Sequence, residues 1–67
     1  MNRFKERLKE LRNGENLKQS QVSAEIGVPE ATYSNWEQGR AEPDIDRLII
    51  LARFFRVSVD VLVGIAD

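Results

Sequence analysis

The sequence contains no cysteine and no histidine. Without cysteine there is neither a disulfide framework nor a thiolate nucleophile. Without histidine the commonest metal ligand and the commonest general base are both missing. The serines therefore have no histidine to activate them, and the chain has neither a glycine-rich phosphate loop nor metal-ligand spacing. These absences argue against an enzyme, and we expect no metal, no cofactor and no small-molecule ligand.

Long apolar runs are also missing. The longest, Leu48 to Ala52, is far too short to cross a bilayer. The opening stretch, MNRFKERLKE, lacks the apolar core of a signal peptide. We therefore expect a cytoplasmic protein without a membrane partner. Its 67 residues are enough for one domain, 1–67.

Positive charge is scarce overall but unevenly placed. The net charge is −1 and the pI is near 5.4, which argues against a polybasic binder of nucleic acid. Residues 1–20 nevertheless carry six Lys and Arg against three Glu, whereas residues 41–67 carry three Arg against five acids. The first part of the chain is therefore the more favourable to an anion.

The apolar pattern predicts five helices and no β-strand. The first covers NRFKERLKELRN, with an apolar stripe and an end at Asn13-Gly14. The second is QSQVSAEI, ended by Gly27. The third runs from Glu30 to Gln38 after Pro29. Asp44 is predicted to cap a fourth helix through about Phe55, and Ser58 a short fifth, VDVLV.

The third helix is unusual because its outward face carries little charge. At about 100° per residue, Tyr33 and Trp36 fall on one side and point inward. Opposite them lie Ala31, Ser34, Asn35 and Gln38, with Glu30 at the edge. A face that is only solvated usually carries Lys and Glu, whereas amides lose less on desolvation and can bind adenine edges in a major groove. This face is therefore a candidate reading surface.

The segment QSQVSAEIGVPEATYSNWEQG resembles the helix-turn-helix of phage-repressor/Cro-like (XRE-type) DNA-binding domains. The resemblance continues through Pro43, Ile45 and Leu48 and through VSVDVLVG, so it covers nearly the whole chain. It implies an all-α, compact five-helix lambda-repressor-like fold. It also implies a transcriptional regulator that binds double-stranded DNA in a sequence-specific way.

The resemblance further implies a role for individual residues. Bases would be read by Glu30, Ala31, Ser34 and Asn35. Phosphates would be approached by Lys18 and Gln19 at the start of the second helix, and by Gln38, Gly39 and Arg40 at the end of the third. Arg12 would form a structural ion pair with Glu37 and so brace the first helix against the third.

Some residues depart from the family pattern. Lys18 stands where a capping residue is common, and Pro29 replaces a cap hydroxyl. Glu30 would face a polyanion, although it is also a first-turn acid that suits the helix dipole. Net acidity and Glu30 keep a second hypothesis open, namely a protein-interaction module on the same fold, either antitoxin-like or a partner that neutralises a repressor.

The last part of the chain has more apolar residues than so small a core can bury. Ile45, Leu48, Leu51 or Ala52, and Phe55 form one predicted inward stripe of the fourth helix. Further apolar residues lie outside that stripe and in the tail. Clustered exposed apolar residues indicate an interface, so we expect a homodimer. The candidate interface residues are Ile50, Phe54, Val61, Val63 and Ile65.

Overall fold

The computed structural model describes residues 2–66 and contains five helices, with no β-strand in that range. They are α1 (Phe4–Gly14), α2 (Gln19–Ile26), α3 (Glu30–Gln38), α4 (Ile45–Phe55) and α5 (Val59–Val63). The predicted all-α class is confirmed. The alternating VSVDVLV stretch forms a cap and a helix rather than a strand, because Ser58 starts α5 and no neighbouring strand exists within the described residues.

Side-chain caps fix where the later helices begin. Asp44 Oδ1 accepts a hydrogen bond from the backbone N–H of Arg47 at 2.9 Å, and Ser58 Oγ accepts one from Val61 at 3.1 Å. Each bond satisfies an amide that has no partner inside its own helix. The caps predicted at Asp44 and Ser58 are therefore confirmed.

Left-handed residues end α2, α3, α4 and α5. Gly27 and Gly39, both at φ 77°, end α2 and α3 as predicted. α1 ends at Gly14, as the Asn13-Gly14 pair predicted, although the left-handed residue that follows it is Asn16, at φ 57°. Arg56 ends α4 at φ 59°, a conformation that a residue with a Cβ adopts only at a cost.

The core lies where all five helices meet. α1 packs against α3 and α5, α2 packs against α3 and α4, and α4 also contacts α5. The buried apolar side chains are Phe4, Leu8, Val22, Val28, Tyr33, Trp36, Leu51, Ala52, Phe55 and Leu62. No helix in residues 2–66 has the length and apolar character needed to cross a membrane.

Ile45 is the one predicted core residue of α4 that the structure places outside the core. Its exposed fraction is 75%, whereas Leu51, Ala52 and Phe55 are buried. At 100° per residue Ile45 lies roughly 70° from the middle of the buried stripe. It is also the first residue of α4, so it has no preceding helical turn to cover it.

Candidate nucleic-acid interface

The α2–α3 unit is a tight pair of helices joined by a left-handed turn. Gly27 reverses the chain, and the N–H of Val28 donates to the Ser23 carbonyl at 3.0 Å. Pro29 is the extended residue before α3, where its missing N–H leaves no hydrogen bond unmade. Val28 and Ser23 are both buried. The turn therefore fixes the position of α3 relative to α2.

One side of α3 holds the helix in the core and the other side is open. Tyr33 is fully buried and Trp36 nearly so, and their rings meet edge to face with centroids 6.0 Å apart. Glu30, Ala31 and Gln38 are exposed, and Ser34 and Asn35 are half-buried. The predicted division of α3 into an inward aromatic side and an outward, mostly uncharged side is thus present in the structure.

The outward face contains a hydrogen-bonded pair. Gln38 Nε2 donates to Ser34 Oγ at 2.9 Å, one turn earlier on the helix. Because Ser34 Oγ accepts from Gln38, its own proton remains free to donate to another group. No hydrogen bond within residues 2–66 uses the side-chain amide of Asn35. The face therefore offers a hydroxyl donor beside an amide that can both donate and accept.

Arg12 and Glu37 form a two-bonded ion pair between α1 and α3. Arg12 Nε donates to Glu37 Oε2 at 2.6 Å, and Nη2 donates to Oε1 at 2.9 Å. Arg12 Nη1 also donates to the Leu17 carbonyl at 2.8 Å, which ties in the α1–α2 loop. The Glu37 side chain is 1% exposed and that of Arg12 is 14% exposed. The pair is therefore a structural contact beneath α3.

Burial and hydrogen bonding act in opposite directions on the Glu37 carboxyl. Burial raises its pKa, but hydrogen-bonding groups of Arg12, Tyr33 and Gln19 and the charge of Arg12 together outweigh that effect, so the pKa lies below its usual range. The hydrogen bond to Glu37 is also the main reason why the pKa of Arg12 is raised. Glu37 therefore stays ionised beside a charged Arg12.

The Tyr33 hydroxyl lies beside this pair. Burial, and after it the neighbouring Glu37 carboxylate, raises the pKa of Tyr33. The hydroxyl nevertheless makes no hydrogen bond of ordinary geometry with residues 2–66. Tyr33 is therefore a neighbour of the ion pair and not one of its hydrogen-bond partners.

Gln19 is held inside the protein. Its Nε2 donates to Glu37 Oε1 at 3.1 Å, and the residue is half-buried. In this arrangement the side-chain amide N–H is directed at Glu37 and not at a phosphate. Its backbone N–H, at the first position of α2, lies among the N-terminal amides that a helix leaves without an internal partner. The side chain of Gln19 thus joins α2 to α3, and its backbone N–H is the group that can bind an anion.

Lys18 lies at the cap position of α2 without a capping side chain, and Gln21, which the sequence pattern did not single out, makes a different hydrogen bond there. Lys18 adopts the extended conformation of a helix cap, and its backbone N–H donates to Gln21 Oε1 at 2.7 Å. A glutamine three residues after a cap position is the sequence signal for such a bond. The Lys18 ammonium is exposed at the N-terminus of α2, and no ion pair within residues 2–66 includes it.

The end of α3 has fewer free groups for binding a phosphate than the sequence indicated. The Gly39 N–H donates to the Trp36 carbonyl at 3.3 Å, and the Arg40 N–H donates to the Asn35 carbonyl at 3.0 Å. Both amides are therefore used to end the helix. The Arg40 side chain is exposed and takes part in no ion pair among the described residues. Gly39 provides the turn, and Arg40 provides the charge.

The candidate dimer residues differ in how free they are. Ile50 and Ile65 are exposed, at 43% and 68%. Val61 is half-buried. Phe54 and Val63 are half-buried and pack against the core, and the Phe54 ring meets Phe55 edge to face at 4.9 Å. Ile50 and Ile65 thus present most of the free apolar surface in this set.

Comparison with known proteins places this arrangement in a family. The model of the Helix-turn-helix family matches residues 8–62. The chain is 37% identical over 62 residues to the Uncharacterized HTH-type transcriptional regulator YobD of Bacillus subtilis, a match that covers 92% of this chain and 55% of that protein. It is 34% identical over 62 residues to the Cryptic phage CTXphi transcriptional repressor RstR of Vibrio cholerae, again covering 92% of this chain and 55% of the relative.

A solved structure agrees with the sequence matches. The crystal structure of a transcriptional regulator from Listeria innocua superimposes with a TM-score of 0.92 at 34% identity, over 100% of this chain and 63% of that one. The chain thus spans little more than half the length of these two curated relatives. It belongs to the helix-turn-helix family, and within it to the XRE type that includes phage repressors.

Proposed function

We propose that this chain is a DNA-binding transcriptional regulator that reads a specific double-stranded sequence with α3. The observation that carries the proposal is the mostly uncharged, hydrogen-bonding outer face of α3, whose opposite side is buried through Tyr33, Trp36 and Glu37. Side chains of this kind pair with base edges in the major groove, which is wide enough to admit a helix. The names of the relatives, all of them transcriptional regulators, support the same function.

The residues divide into two groups in this proposal. Glu30, Ala31, Ser34 and Asn35 face the bases, with Glu30 suited to the exposed amino group of a cytosine. The residues of the second group contact phosphates. They are Lys18, Gln38 and Arg40 through their side chains and Gln19 through its backbone. Gly39 contributes the turn that brings Arg40 to the end of α3. Phosphate contacts fix the register, and base contacts give the specificity.

The proposed working form is a homodimer. One chain measures 27 Å in its longest dimension, whereas helix-turn-helix dimers bind half-sites on the order of 34 Å apart. A single copy therefore reads only one half-site. The exposed Ile50 and Ile65, with Phe54, Val61 and Val63 beside them in the nominated set, supply an apolar surface for a second copy.

Glu30 supports a second candidate function. It is an exposed acid at the first turn of the helix that would approach DNA, and the chain as a whole carries a net charge of −1. Both features oppose a polyanion and favour a basic protein surface. The alternative is therefore a protein-interaction module on the same fold, acting as an antitoxin-like or repressor-neutralising partner.

Selection from a pool of random duplexes separates the two functions. A sequence-reading regulator enriches a common motif, and its affinity for that motif falls steeply as salt rises, because bound phosphates release their counterions. A control variant replaces Ser34 and Asn35 with Ala and leaves the Tyr33–Trp36 side of α3 intact. This variant should lose the enrichment. If the parent protein enriches no sequence and shows no salt-dependent binding to duplex DNA, the regulator proposal is wrong.

A further inference from the structure

Lys5 belongs to α1, but its side chain crosses to the end of α3. Its Cδ lies 2.8 Å, and its ammonium nitrogen 3.4 Å, from the position that a Cβ would take at Gly39. The missing side chain of Gly39 leaves the space that the Lys5 stem fills. The ammonium of Lys5 is therefore held beside the last turn of the helix that the proposed function assigns to base reading.

The end of α3 binds an anion only if side chains supply positive charge. The C-terminus of a helix carries partial negative charge, and the last turn of α3 contains no basic residue of its own. The amides of Gly39 and Arg40 already donate within the helix end. Positive charge at this point therefore comes from the side chains of Arg40 and Lys5.

Lys5 forms no direct ion pair with another described residue. Lys5 lines a groove of about 450 Å³ between α1 and α3, whose other lining residues are Glu6, Lys9, Glu10, Asn13, Glu37 and Gln38. The ion pairs within residues 2–66 are Arg7–Glu10, Arg12–Glu37 and Arg47–Asp44, and none of them includes Lys5. Lys5 thus offers an unpaired cation at the border of the reading face, close to Gln38.

We propose that Lys5 is a DNA phosphate contact, forming with Arg40 a cationic pair at the end of α3. The resemblance to phage repressors did not imply this residue, since it lies on α1 and outside the helix-turn-helix. The inference rests on the proposed function and deepens it. A role limited to offsetting the dipole of α3 would stabilise the fold but leave the count of phosphate contacts unchanged.

The salt dependence of binding tests the proposal, since each phosphate contact adds about 0.9 to the slope of log affinity against log salt. Lys5→Met keeps most of the apolar stem over Gly39 and removes the charge. We expect it to lower the slope by about one unit and to weaken specific and random duplexes by the same factor. Lys5→Arg, which keeps the charge, should retain the parent slope.

Arg53→Met is the matched control, because Arg53 is an exposed cation on α4 and not on α1 or α3. It should leave the slope unchanged. Thermal melting of each variant identifies a temperature at which all of them are folded. Lys5→Gln is a second variant without the charge. A Lys5→Met slope equal to that of the parent, with parent binding intact, overturns the Lys5 assignment alone. A parent that binds no duplex overturns the proposed function, and the inference with it.

Discussion

Arg12 and Glu37 join the first and third helices through two hydrogen bonds, of 2.6 and 2.9 Å, to the two oxygens of one buried carboxylate. Arg12→Met leaves that carboxylate without its cation. Removing one member of a buried pair costs about 3–5 kcal/mol, so we expect a large drop in the free energy of unfolding at neutral pH. Chemical denaturation of parent and variant measures it.

The pH dependence of this loss has a definite sign. In the parent, the Glu37 pKa is below its usual range, so its stabilisation is present above about pH 4.3 and is lost as pH falls through the folded pKa. In Arg12→Met, burial acts with less opposition and raises the pKa, so lower pH stabilises the variant. The difference in the free energy of unfolding between the parent and Arg12→Met should therefore narrow from pH 7 towards pH 4. The control is the double variant Arg12→Met with Glu37→Gln, whose difference from the parent should show no such narrowing. If the difference from the parent is constant with pH in both variants, Glu37 is not the group responsible.

Asn35→Ala should reduce binding to the selected sequence by about 1–3 kcal/mol and relax base preference at one position. The reason is that Asn35 is the amide on the outer face of α3 with no hydrogen bond to another described residue. Competition binding with single-base variants of the site measures both effects. Gln21→Ala is a useful contrast, because Gln21 caps α2 instead. Equal affinity of Asn35→Ala and parent for every base variant would remove Asn35 from the reading group.

Lys18→Ala and Arg40→Ala should weaken binding to all duplexes alike. Both side chains are exposed cations without an ion-pair partner among the described residues, one before α2 and one after α3. Each should lower the salt slope by about one unit, and the double variant by about two. Fluorescence anisotropy over a salt series gives the slopes. A change in sequence preference with an unchanged slope would place that residue at a base and not at a phosphate.

Ile50→Glu should convert a dimer to monomer without unfolding the chain. Ile50 is the exposed isoleucine in the middle of α4 on the nominated surface, and a buried unpaired carboxylate at an interface is strongly unfavourable. Sedimentation velocity at micromolar concentration reports the change in mass. Ile45→Glu alters a more exposed isoleucine outside the nominated set, so it should stay dimeric. A parent that sediments as a monomer, alone and on its selected DNA, defeats the dimer proposal.

Arg56→Gly should stabilise the fold by about 0.5–1 kcal/mol. Arg56 holds a left-handed conformation, at φ 59°, that costs a residue with a Cβ about 1–2 kcal/mol, and the greater freedom of glycine in the unfolded chain offsets part of the gain. Thermal denaturation measures the change. The matched control is Asn16→Gly at φ 57°, where asparagine already tolerates the conformation and the gain should be smaller. A loss of stability in Arg56→Gly would mean that its side chain stabilises the α4–α5 junction.

Local signals explain why the helix boundaries were predictable. Asp44, Ser58, Gly27 and Gly39 each act on the few residues beside them, so their effect can be read without knowing the fold. The all-α class follows from helices that such signals delimit. Ile45 shows the limit of this reasoning, because periodicity gives an angle around the helix but not whether another element covers that end.

The exposed and buried sides of the candidate site could be predicted from the sequence, but its hydrogen bonds could not. The open face of α3 followed from the angular spacing of its residues. By contrast, Gln19 was expected to approach a phosphate, and its side chain instead donates to Glu37, 18 residues away. An amide serves equally well in either place, and only the packing of α2 on α3 decides between them. The approach of Lys5 to Gly39 could not be predicted for the same reason, since it depends on how α1 crosses α3.

The convergence of Arg12 and Gln19 on Glu37 has a consequence for the entropy of binding. The one carboxylate receives hydrogen bonds from α1 and α2 and itself belongs to α3. The backbone of α3 is therefore already ordered before any ligand arrives, and a ligand has no helix to fold. The conformational entropy that binding still costs comes from fixing the rotamers of a few outward side chains, on the order of 0.5–1.5 kcal/mol each. For Ser34 and Gln38, whose mutual hydrogen bond already restricts them, the loss is smaller still.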